Sequence, residues 1–195
     1  MKHNLKGLEN LIGVPGTLGG ALIMNAGAWG GEISENLENV EMLNDKNQII
    51  LLSKKDIEFS YRSSSFAKDS ILLAATFNLK KSKKELIQDN FNLAKSGRKN
   101  TQPLNYRSAG SVFKNPSSEH SAGMLIDKAG LKGFSVGDAE ISNKHANFFV
   151  NNGNAKASDM LALIKKAKSA VKEKFNIQLE LEVKLLGFDL KEMSK

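Results

Sequence analysis

The sequence of 195 residues contains no cysteine, three prolines and one tryptophan. Without cysteine there is no disulfide framework and no thiolate metal site. The three histidines (His3, His120 and His145) lack the spacing of metal ligands, so we predict no metal. The N-terminus has no apolar signal segment, and no run of bulky apolar residues is long enough to cross a membrane. These absences favour a globular cytoplasmic protein with no membrane partner.

Positive charge is in excess, since 28 Lys and Arg against 21 Asp and Glu give a formal net charge of +7. This balance suits an anionic partner, either a nucleic acid or a phosphate-bearing small molecule. The lysines are spread out, however, and clusters such as 80–84 and 165–166 fit the solvated faces of helices. Aromatic side chains for base stacking are few. We therefore predict no nucleic-acid partner and keep a basic nucleic-acid-binding module only as a minor alternative.

Seven of the sixteen glycines lie between Gly13 and Gly31, in the segment GVPGTLGGALIMNAGAWGG. Glycine lets a backbone approach a ligand closely, and the other residues are mostly small or apolar rather than those of a flexible linker. We interpret this glycine-rich segment as ordered, buried backbone, which either lines a ligand or packs tightly without one. It matches neither a P-loop nor a dinucleotide fingerprint. Thr17 is expected to cap a helix over 18–25.

The remainder of the first half predicts a sheet followed by a helix. Ser53, with Asp56 three residues later, predicts one capped helical turn. Apolar spacing predicts a helix over 83–97, with Gly97 as its stop signal. Strands are predicted over 37–43, 48–52 and 71–79, the first two forming a hairpin through the turn 45–47.

A polar stretch over 98–106, containing Pro103, marks a domain boundary. Beyond it, helices are predicted over 121–129, closed by Gly130, and from a Ser158 cap to about residue 175. Strands are predicted over 146–150 and 177–186. Because strands and helices are interspersed, the predicted fold class is α+β in two lobes, residues 1–97 and 98–195.

Two groups of residues could bind an anionic ligand. Arg62 lies beside Tyr61 in FSYRSSSF, where a planar guanidinium suits a carboxylate. The spacing alone, however, favours a surface Arg with a half-buried Tyr. In 177–186, Glu180 and Glu182 share one face of the predicted strand. That face either is solvated or lines a cleft.

The segment SAGSVFKNP contains Ser111 and Asn115. A serine hydroxyl can donate a proton if nearby charge or N–H groups stabilise the alkoxide that remains. Otherwise Ser111 is simply a small residue at a tight turn. By itself, the segment does not decide between these alternatives.

Six segments in order resemble one family of flavoenzymes, the UDP-N-acetylenolpyruvoylglucosamine reductases. They are GVPGTLGGALIMNAGAWGGEI, FSYRSSSF, QP…SAGSVFKNP, AGMLIDKAGLKG, KHANFFVN and LELEVKLLG. The short interval between Arg62 and Ser111 is similar to the compact subclass, which lacks an inserted substrate-covering loop. The family makes UDP-N-acetylmuramate for bacterial peptidoglycan, and so serves cell-wall growth, cell shape and cell division.

The resemblance implies an oxidoreductase that uses FAD and NADPH as cofactors. NADPH reduces FAD, and the reduced flavin then gives a hydride to C3 of the enolpyruvyl sugar nucleotide while a proton is added at C2. It also implies a fold, namely the second part of an FAD-binding (PCMH-like) domain over 1–97. A substrate-binding domain, with Glu182 on its C-terminal strand, would follow over 98–195.

The resemblance assigns roles to residues of this chain. Ser111 is the implied proton donor, and Arg62 and Glu182 hold the substrate carboxylate. A bare Glu182 carboxylate would repel that substrate, so we expect it to be protonated or to orient Arg62. Substrate contacts are implied at Tyr61, Lys99, Asn115 and His145. The backbone that cradles the flavin is implied at Gly13, Pro15, Gly16, Thr17, Gly19, Gly20, Asn25, Ala26 and Gly27.

The family also has an N-terminal lobe with a Gly-Ser-Asn loop for the FAD pyrophosphate, which these 195 residues do not contain. We therefore expect this polypeptide to retain FAD weakly. The alternative function is a non-catalytic remnant that binds the UDP-sugar without redox turnover. The expected partners are UDP-N-acetylenolpyruvoylglucosamine and NADPH, and the full-length protein is expected to be a monomer.

Overall fold

The computed structural model describes residues 2–188 and mixes helices with strands, which confirms the α and β content predicted from sequence. The chain divides into two compact units, Met1–Arg98 and Lys99–Lys195, called here unit 1 and unit 2. The sequence prediction put a domain boundary between residues 97 and 98. The roles assigned to the two domains stay predictions.

Unit 1 is built from short antiparallel strands and two helices. Its strands are β1 (Leu5–Lys6), β2 (Gly27–Ala28), β3 (Gly31–Glu32), β4 (Leu37–Leu43), β5 (Ile49–Ser53), β6 (Phe59–Ser60), β7 (Ser63–Ser64), β8 (Ile71–Phe77) and β9 (Lys80–Lys81). Its helices are α1 (Leu18–Ile23) and α2 (Lys84–Thr101), the last three residues of α2 falling in unit 2. The pairs β1–β9, β2–β3 and β6–β7 stand beside a three-stranded sheet of order β5–β4–β8.

The three-stranded sheet confirms the hairpin predicted from alternation. Strand β4 pairs with β5 from Asn39↔Ser53 to Leu43↔Ile49. The turn between them contains Asn47 at φ +57°, a conformation that asparagine tolerates. The capped turn after β5 is confirmed as well, because the Ser53 N–H donates to Asp56 Oδ2 at 3.0 Å. Strand β8 ends at Phe77, two residues earlier than predicted.

The predicted stop at Gly97 is wrong, because α2 continues through it to Thr101. The glycine accommodates a neighbour instead. A Cβ at position 97 would lie less than 3.0 Å from three carbons of the Trp29 ring. The helix ends just before Gln102 and Pro103, where the proline disfavours a helical conformation for the preceding residue.

The predicted burial of the glycine-rich segment is wrong for its first part. Residues 13–18 are exposed, and burial begins only at Leu22 and Asn25. Helix α1 ends at Ile23, two residues short of the prediction. Its predicted cap is confirmed, since Thr17 Oγ1 accepts a hydrogen bond from the Gly20 N–H at 3.1 Å.

Unit 2 is a four-stranded antiparallel sheet with two helices. Its strands are β10 (Arg107–Ser111), β11 (Ser135–Val136), β12 (Ala139–Ile141) and β13 (Phe148–Asn151), in the order β10–β13–β12–β11. Its helices are α3 (Ala122–Lys128) and α4 (Ala157–Phe175), and α4 packs on α3, β11 and β12. Strand β13 begins two residues later than predicted, and its first three residues are buried.

Both helices of unit 2 confirm predicted elements, although one cap differs. Ser121 caps α3, and Gly130 at φ +78° follows its end, as predicted. Ser158 is not the cap of α4, because that helix already begins at Ala157. An acidic residue in the first turn stabilises this start, with Asp159 Oδ2 accepting from the Lys156 N–H at 2.9 Å.

The predicted C-terminal strand over 177–186 is wrong as a regular strand. Within the described residues it makes one antiparallel bridge, Phe113↔Leu181. Its apolar face is nevertheless confirmed, because Leu179 is fully buried and its odd-numbered neighbours pack on the same core. The segment is therefore held by side-chain burial and by a few backbone hydrogen bonds to Val112 and Lys114.

The contact between Gly97 and Trp29 predicts an inverted effect of a helix substitution. Alanine normally stabilises a helix interior by about 1 kcal/mol over glycine. We expect Gly97→Ala to destabilise the chain by about 1–3 kcal/mol instead, because its Cβ meets the indole. Urea unfolding measures this, and adding Trp29→Ala should remove the penalty.

The matched control is Gly19→Ala in α1, where the nearest atom to the new Cβ is 3.8 Å away. That substitution is expected to be neutral or stabilising. A Gly97→Ala chain as stable as the wild type would contradict the packing described here.

Candidate functional site

Arg62 lies in unit 1, at the second position of the two-residue turn between β6 and β7. Its backbone is left-handed, at φ +55°. The guanidinium donates from Nη2 to the Gly27 carbonyl at 3.0 Å and lies 4.9 Å from the centre of the Tyr61 ring. Both predicted ligand-binding residues of this segment are therefore neighbours, and the Arg62 head group is tied to the glycine-rich segment.

Asn25 connects the same hairpin to β3. Its side chain is fully buried, and Nδ2 donates to Glu32 Oε2 at 2.5 Å and to the Ser60 carbonyl at 3.2 Å. Its Oδ1 is buried with no hydrogen-bond partner within the described residues. A Cβ at Gly27 would contact Glu32 Cγ at 2.9 Å and Arg62 Nη1 at 3.5 Å, so both side chains cross over this glycine.

The first part of the glycine-rich segment presents open backbone. Gly16 has φ +137°, and a Cβ there would meet no atom within 4 Å. The first hydrogen bond of α1 runs from the Ala21 N–H to the Thr17 carbonyl at 3.0 Å, so the amides that precede it have no intrahelical acceptor. Arg98 Nη1 fixes the start of the segment through the Gly13 carbonyl at 3.1 Å. The backbone at Gly16 is therefore open, and the segment is anchored at Gly13.

The other predicted cradle residues differ in their surroundings within unit 1. The Ala26 N–H donates to the Ala21 carbonyl at 2.7 Å, and the Ala26 carbonyl accepts from the Ile33 N–H at 2.8 Å. Pro15 is exposed, whereas Gly19 is partly exposed inside α1. All nine cradle assignments stay predictions.

In unit 2, the backbones of Ser111 and Glu182 come together. Ser111 ends β10, where it pairs with Phe148 after a shift in register. The Glu182 N–H donates to the Val112 carbonyl, the next residue after Ser111, at 2.8 Å. Both residues are partly exposed. The extended C-terminal segment thus brings a carboxyl-bearing residue beside the predicted proton donor.

Asn115 and Lys99 have defined partners in unit 2. Asn115 Oδ1 accepts from the Ala122 N–H at 3.1 Å and so ties the end of SAGSVFKNP to the start of α3. The Lys99 carbonyl, in the last turn of α2, accepts from Lys144 Nζ at 2.7 Å. The side chains of Lys99 and Lys144 are both exposed, which places two cations close to one helix C-terminus.

His145 is partly buried between α3 and β13. Its Cε1 would lie 3.1 Å from a Cβ at Gly123, and its ring centre lies 4.8 Å from that of Phe148. The Asn147 N–H donates to His145 Nδ1 at 3.2 Å. Burial is the main reason that the pKa of His145 is lowered, and the charge of Lys132 lowers that pKa further. The folded chain therefore favours a neutral imidazole.

The structure brings the predicted residues together in two sets. Arg62, Tyr61 and Gly27 are neighbours in unit 1, and Ser111, Glu182 and the segment leading to Asn115 are neighbours in unit 2. The meeting of Arg62 with Ser111 and Glu182 at one substrate stays a prediction.

Sequence reasoning missed Asn147 and Glu32, both of which bond predicted site residues or their neighbours. Asn147 could have been found as a polar residue inside the apolar run 146–150. Glu32 had no comparable signal.

Residues 102–186 match the family model described as UDP-N-acetylenolpyruvoylglucosamine reductase, C-terminal domain. Reductases of that name from Caldanaerobacter subterraneus subsp. tengcongensis and Clostridium novyi are each 46% identical to the chain, over 186 and 188 residues. Residues 102–186 belong to the UDP-N-acetylenolpyruvoylglucosamine reductase family, and the rest of the chain is similar to reductases of that name. This membership confirms the family predicted from the six segments.

The alignments cover 95% and 96% of the chain but 61% of each relative, so the chain spans about three fifths of their length. The crystal structure of the UDP-N-acetylenolpyruvylglucosamine reductase from Thermus caldophilus is also similar. It is 41% identical, with a TM-score of 0.83, over 94% of this chain and 65% of that one. The shared fold thus extends well beyond the C-terminal domain.

Two further properties concern residues 2–188. None of their helices combines the length and apolar character that crossing a bilayer requires. These residues also contain no group of three or more His, Asp or Glu side chains arranged to hold a metal ion.

The lowered pKa of His145 predicts a pH-dependent stability. The unfolded chain binds a proton on this imidazole more readily than the folded chain, so stability is lost as the pH falls through about 6.5, the ordinary histidine value. His145→Gln should flatten the decline in unfolding free energy between pH 7.5 and 5.5, measured by urea unfolding.

His120→Gln, on the exposed loop before α3, is the control and should leave the decline unchanged. Equal slopes for wild type and His145→Gln would contradict the assignment.

Proposed function

We propose that the chain carries the substrate-reducing residues of a UDP-N-acetylenolpyruvoylglucosamine reductase of peptidoglycan synthesis. A bound FAD, reduced by NADPH, would supply the hydride that C3 of the enolpyruvyl group receives. The residues of this chain hold the substrate carboxylate and deliver a proton to C2. The new bonds are thus C3–H and C2–H, and the carbon–carbon double bond becomes single.

Arg62 is the proposed stabiliser of the charge that develops at C2 and spreads onto the carboxylate. Its guanidinium gains more from this charge than from the ground-state substrate, which is the condition for lowering a barrier. The hydrogen bond to the Gly27 carbonyl and the contact with Tyr61 restrict its movement. A preorganised cation costs less to orient during the reaction.

Ser111 is the proposed proton donor at C2, and Glu182 assists at the carboxylate. Because a bare carboxylate would repel the substrate, Glu182 acts either in its protonated form or by orienting Arg62. The substrate contacts are proposed at Tyr61, Lys99, Asn115 and His145, with Lys99 toward the diphosphate. The excess of Lys and Arg over Asp and Glu suits so anionic a molecule.

The observation that carries this proposal is the hydrogen bond from the Glu182 N–H to the Val112 carbonyl, one residue from Ser111. Two residues 71 positions apart in sequence, to both of which the resemblance assigns catalytic roles, are thus close in the fold. Family membership and the open backbone at Gly16 support the flavin part.

The direct test supplies the purified chain with excess FAD, NADPH and UDP-N-acetylenolpyruvoylglucosamine. NADPH oxidation that depends on the sugar nucleotide is the expected result, with little flavin absorbance before FAD is added. Calorimetric binding of the sugar nucleotide without NADPH oxidation would support the alternative, a UDP-sugar-binding remnant. Absence of both binding and oxidation would overturn both proposals.

Ser111→Ala should lower turnover by about 10²–10⁴-fold, the usual contribution of general acid–base catalysis. Binding of the sugar nucleotide should change little, because only the hydroxyl is removed. Ser108→Ala on the same strand is the matched control and should retain turnover. If Ser111→Ala retains turnover as well, this serine is not the proton donor.

Glu182→Gln should lower turnover by about 10–100-fold, the value of one charge-assisted hydrogen bond. Glu180→Gln is the control, since Glu180 lies two residues away and pairs with Lys114 Nζ at 2.5 Å. Full turnover in Glu182→Gln would remove any role for the carboxyl proton.

A further inference from the structure

We propose that Asn147 is a positioning residue of this site: its buried carboxamide fixes the backbone of Phe113, and thereby Ser111 and Asn115, while its backbone N–H sets the tautomer of His145. This inference rests on the proposed function, because it names a further residue of the same site. Asn147 contacts no reacting atom and acts through its neighbours.

The carboxamide of Asn147 makes two hydrogen bonds to the backbone of one residue, Phe113. Its Oδ1 accepts from the Phe113 N–H at 2.9 Å, and its Nδ2 donates to the Phe113 carbonyl at 2.8 Å. Its backbone carbonyl accepts from the Val112 N–H at 2.9 Å. Asn147 is 3% exposed and Phe113 is 1% exposed, so water does not replace these bonds.

The Asn147 side chain occupies the place beside Phe113 that a longer β13 backbone would otherwise fill. The carbonyl of Val112 and the N–H of Lys114 bond the C-terminal segment at Glu182 and Glu180. Because hydrogen-bonding directions alternate along a strand, Phe113 directs its own polar groups to the opposite edge. Strand β13 begins only at Phe148, so the Asn147 side chain completes this edge in place of a backbone.

The predicted site residues lie on both sides of this clamp. Ser111 is two residues before Phe113, and Asn115 is two residues after it. Glu182 bonds the Val112 carbonyl between Ser111 and Phe113. A displacement of Phe113 would therefore move all three residues, and an error of about 1 Å in a reacting group can cost about 10²-fold in rate.

The backbone of Asn147 defines the state of His145. Since the Asn147 N–H donates to Nδ1 at 3.2 Å, Nδ1 is the acceptor, and the neutral ring carries its proton on Nε2. An Nε2–H can donate to an anionic ligand, which a bare Nε2 cannot do. Asn147 thus fixes the position of the strand that carries Ser111 and determines which ring nitrogen of His145 carries the proton.

The test compares Asn147→Leu, which removes both carboxamide bonds, with Asn151→Leu. Asn151 also clamps backbone, since its Oδ1 accepts from the N–H groups of Gly153 and Ala155 at 2.8 and 3.1 Å. In the chain with added FAD, NADPH and the enolpyruvyl sugar nucleotide, Asn147→Leu should lower kcat by about 10²-fold. Asn151→Leu should lower only the midpoint of thermal unfolding.

The second measurement is ¹⁵N NMR of the histidine rings, which needs neither flavin nor turnover. Wild type, Asn151→Leu and Asn147→Leu should all show His145 as the Nε2–H tautomer, because leucine at position 147 keeps the backbone N–H that donates to Nδ1. If Asn147→Leu does not fold, Asn147→Asp takes its place, because it retains the acceptor for the Phe113 N–H and loses the donor to the Phe113 carbonyl.

Wild-type kcat in a folded Asn147 variant, or an Nδ1–H tautomer of His145 in the wild type, would overturn the inference. A wild-type chain that neither binds nor reduces the sugar nucleotide would instead count against the proposed function, and the NMR comparison would still decide the positioning of His145.

Discussion

Both edges of the peptide chain at Phe113 are paired, and the candidate site of unit 2 depends on this double pairing. The C-terminal segment bonds one edge through Glu180 and Glu182, and the Asn147 side chain bonds the other. A buried peptide group without a partner costs about 1–3 kcal/mol, so neither edge can be left open. The direction of the chain through Ser111 and Asn115 follows from this requirement.

Unit 1 keeps an exposed, glycine-rich backbone in one conformation by anchoring it at several points. Arg98 bonds the Gly13 carbonyl, Thr17 caps α1, and Trp29 packs over Gly97. These contacts offset the conformational freedom that glycine would otherwise retain. The result is a surface that is anchored but open at Gly16, as the flavin contact proposed above requires.

Elements with local signals were predictable from sequence. The hairpin β4–β5, the Ser53–Asp56 turn and helix α3 each have alternation, a capping residue or a terminal glycine, all of which act within a few residues. Gly97 and the C-terminal segment were mispredicted because tertiary contacts decide them. Gly97 accommodates an indole 68 residues away in sequence, and the apolar alternation after 177 buries side chains without forming a ladder.

Only those residues of the candidate site that lie in the recognised motifs were predictable from sequence. Arg62, Ser111 and Glu182 came from resemblance to a family, and their spacing alone left a plain structural interpretation open. Asn147 was missed because its side chain takes the part of a strand backbone. This role is recognisable only once β13 is seen to begin at Phe148, one residue later. Such a role depends on three segments at once, and a single sequence does not show their register.

In unit 2, different residues supply the positive charge and the oriented hydrogen-bond donor. Lys132 is close enough to lower the pKa of His145, after the larger effect of burial, and Lys144 is tied to the Lys99 carbonyl. The lysines therefore supply positive charge on exposed side chains, whereas the imidazole stays neutral and its ring is held by Asn147 and Phe148. A diphosphate needs much charge and tolerates many geometries, but a single oriented donor distinguishes one oxygen from another. On the proposed function, a neutral His145 would contribute selectivity for the sugar nucleotide, and the surrounding lysines would contribute most of the affinity.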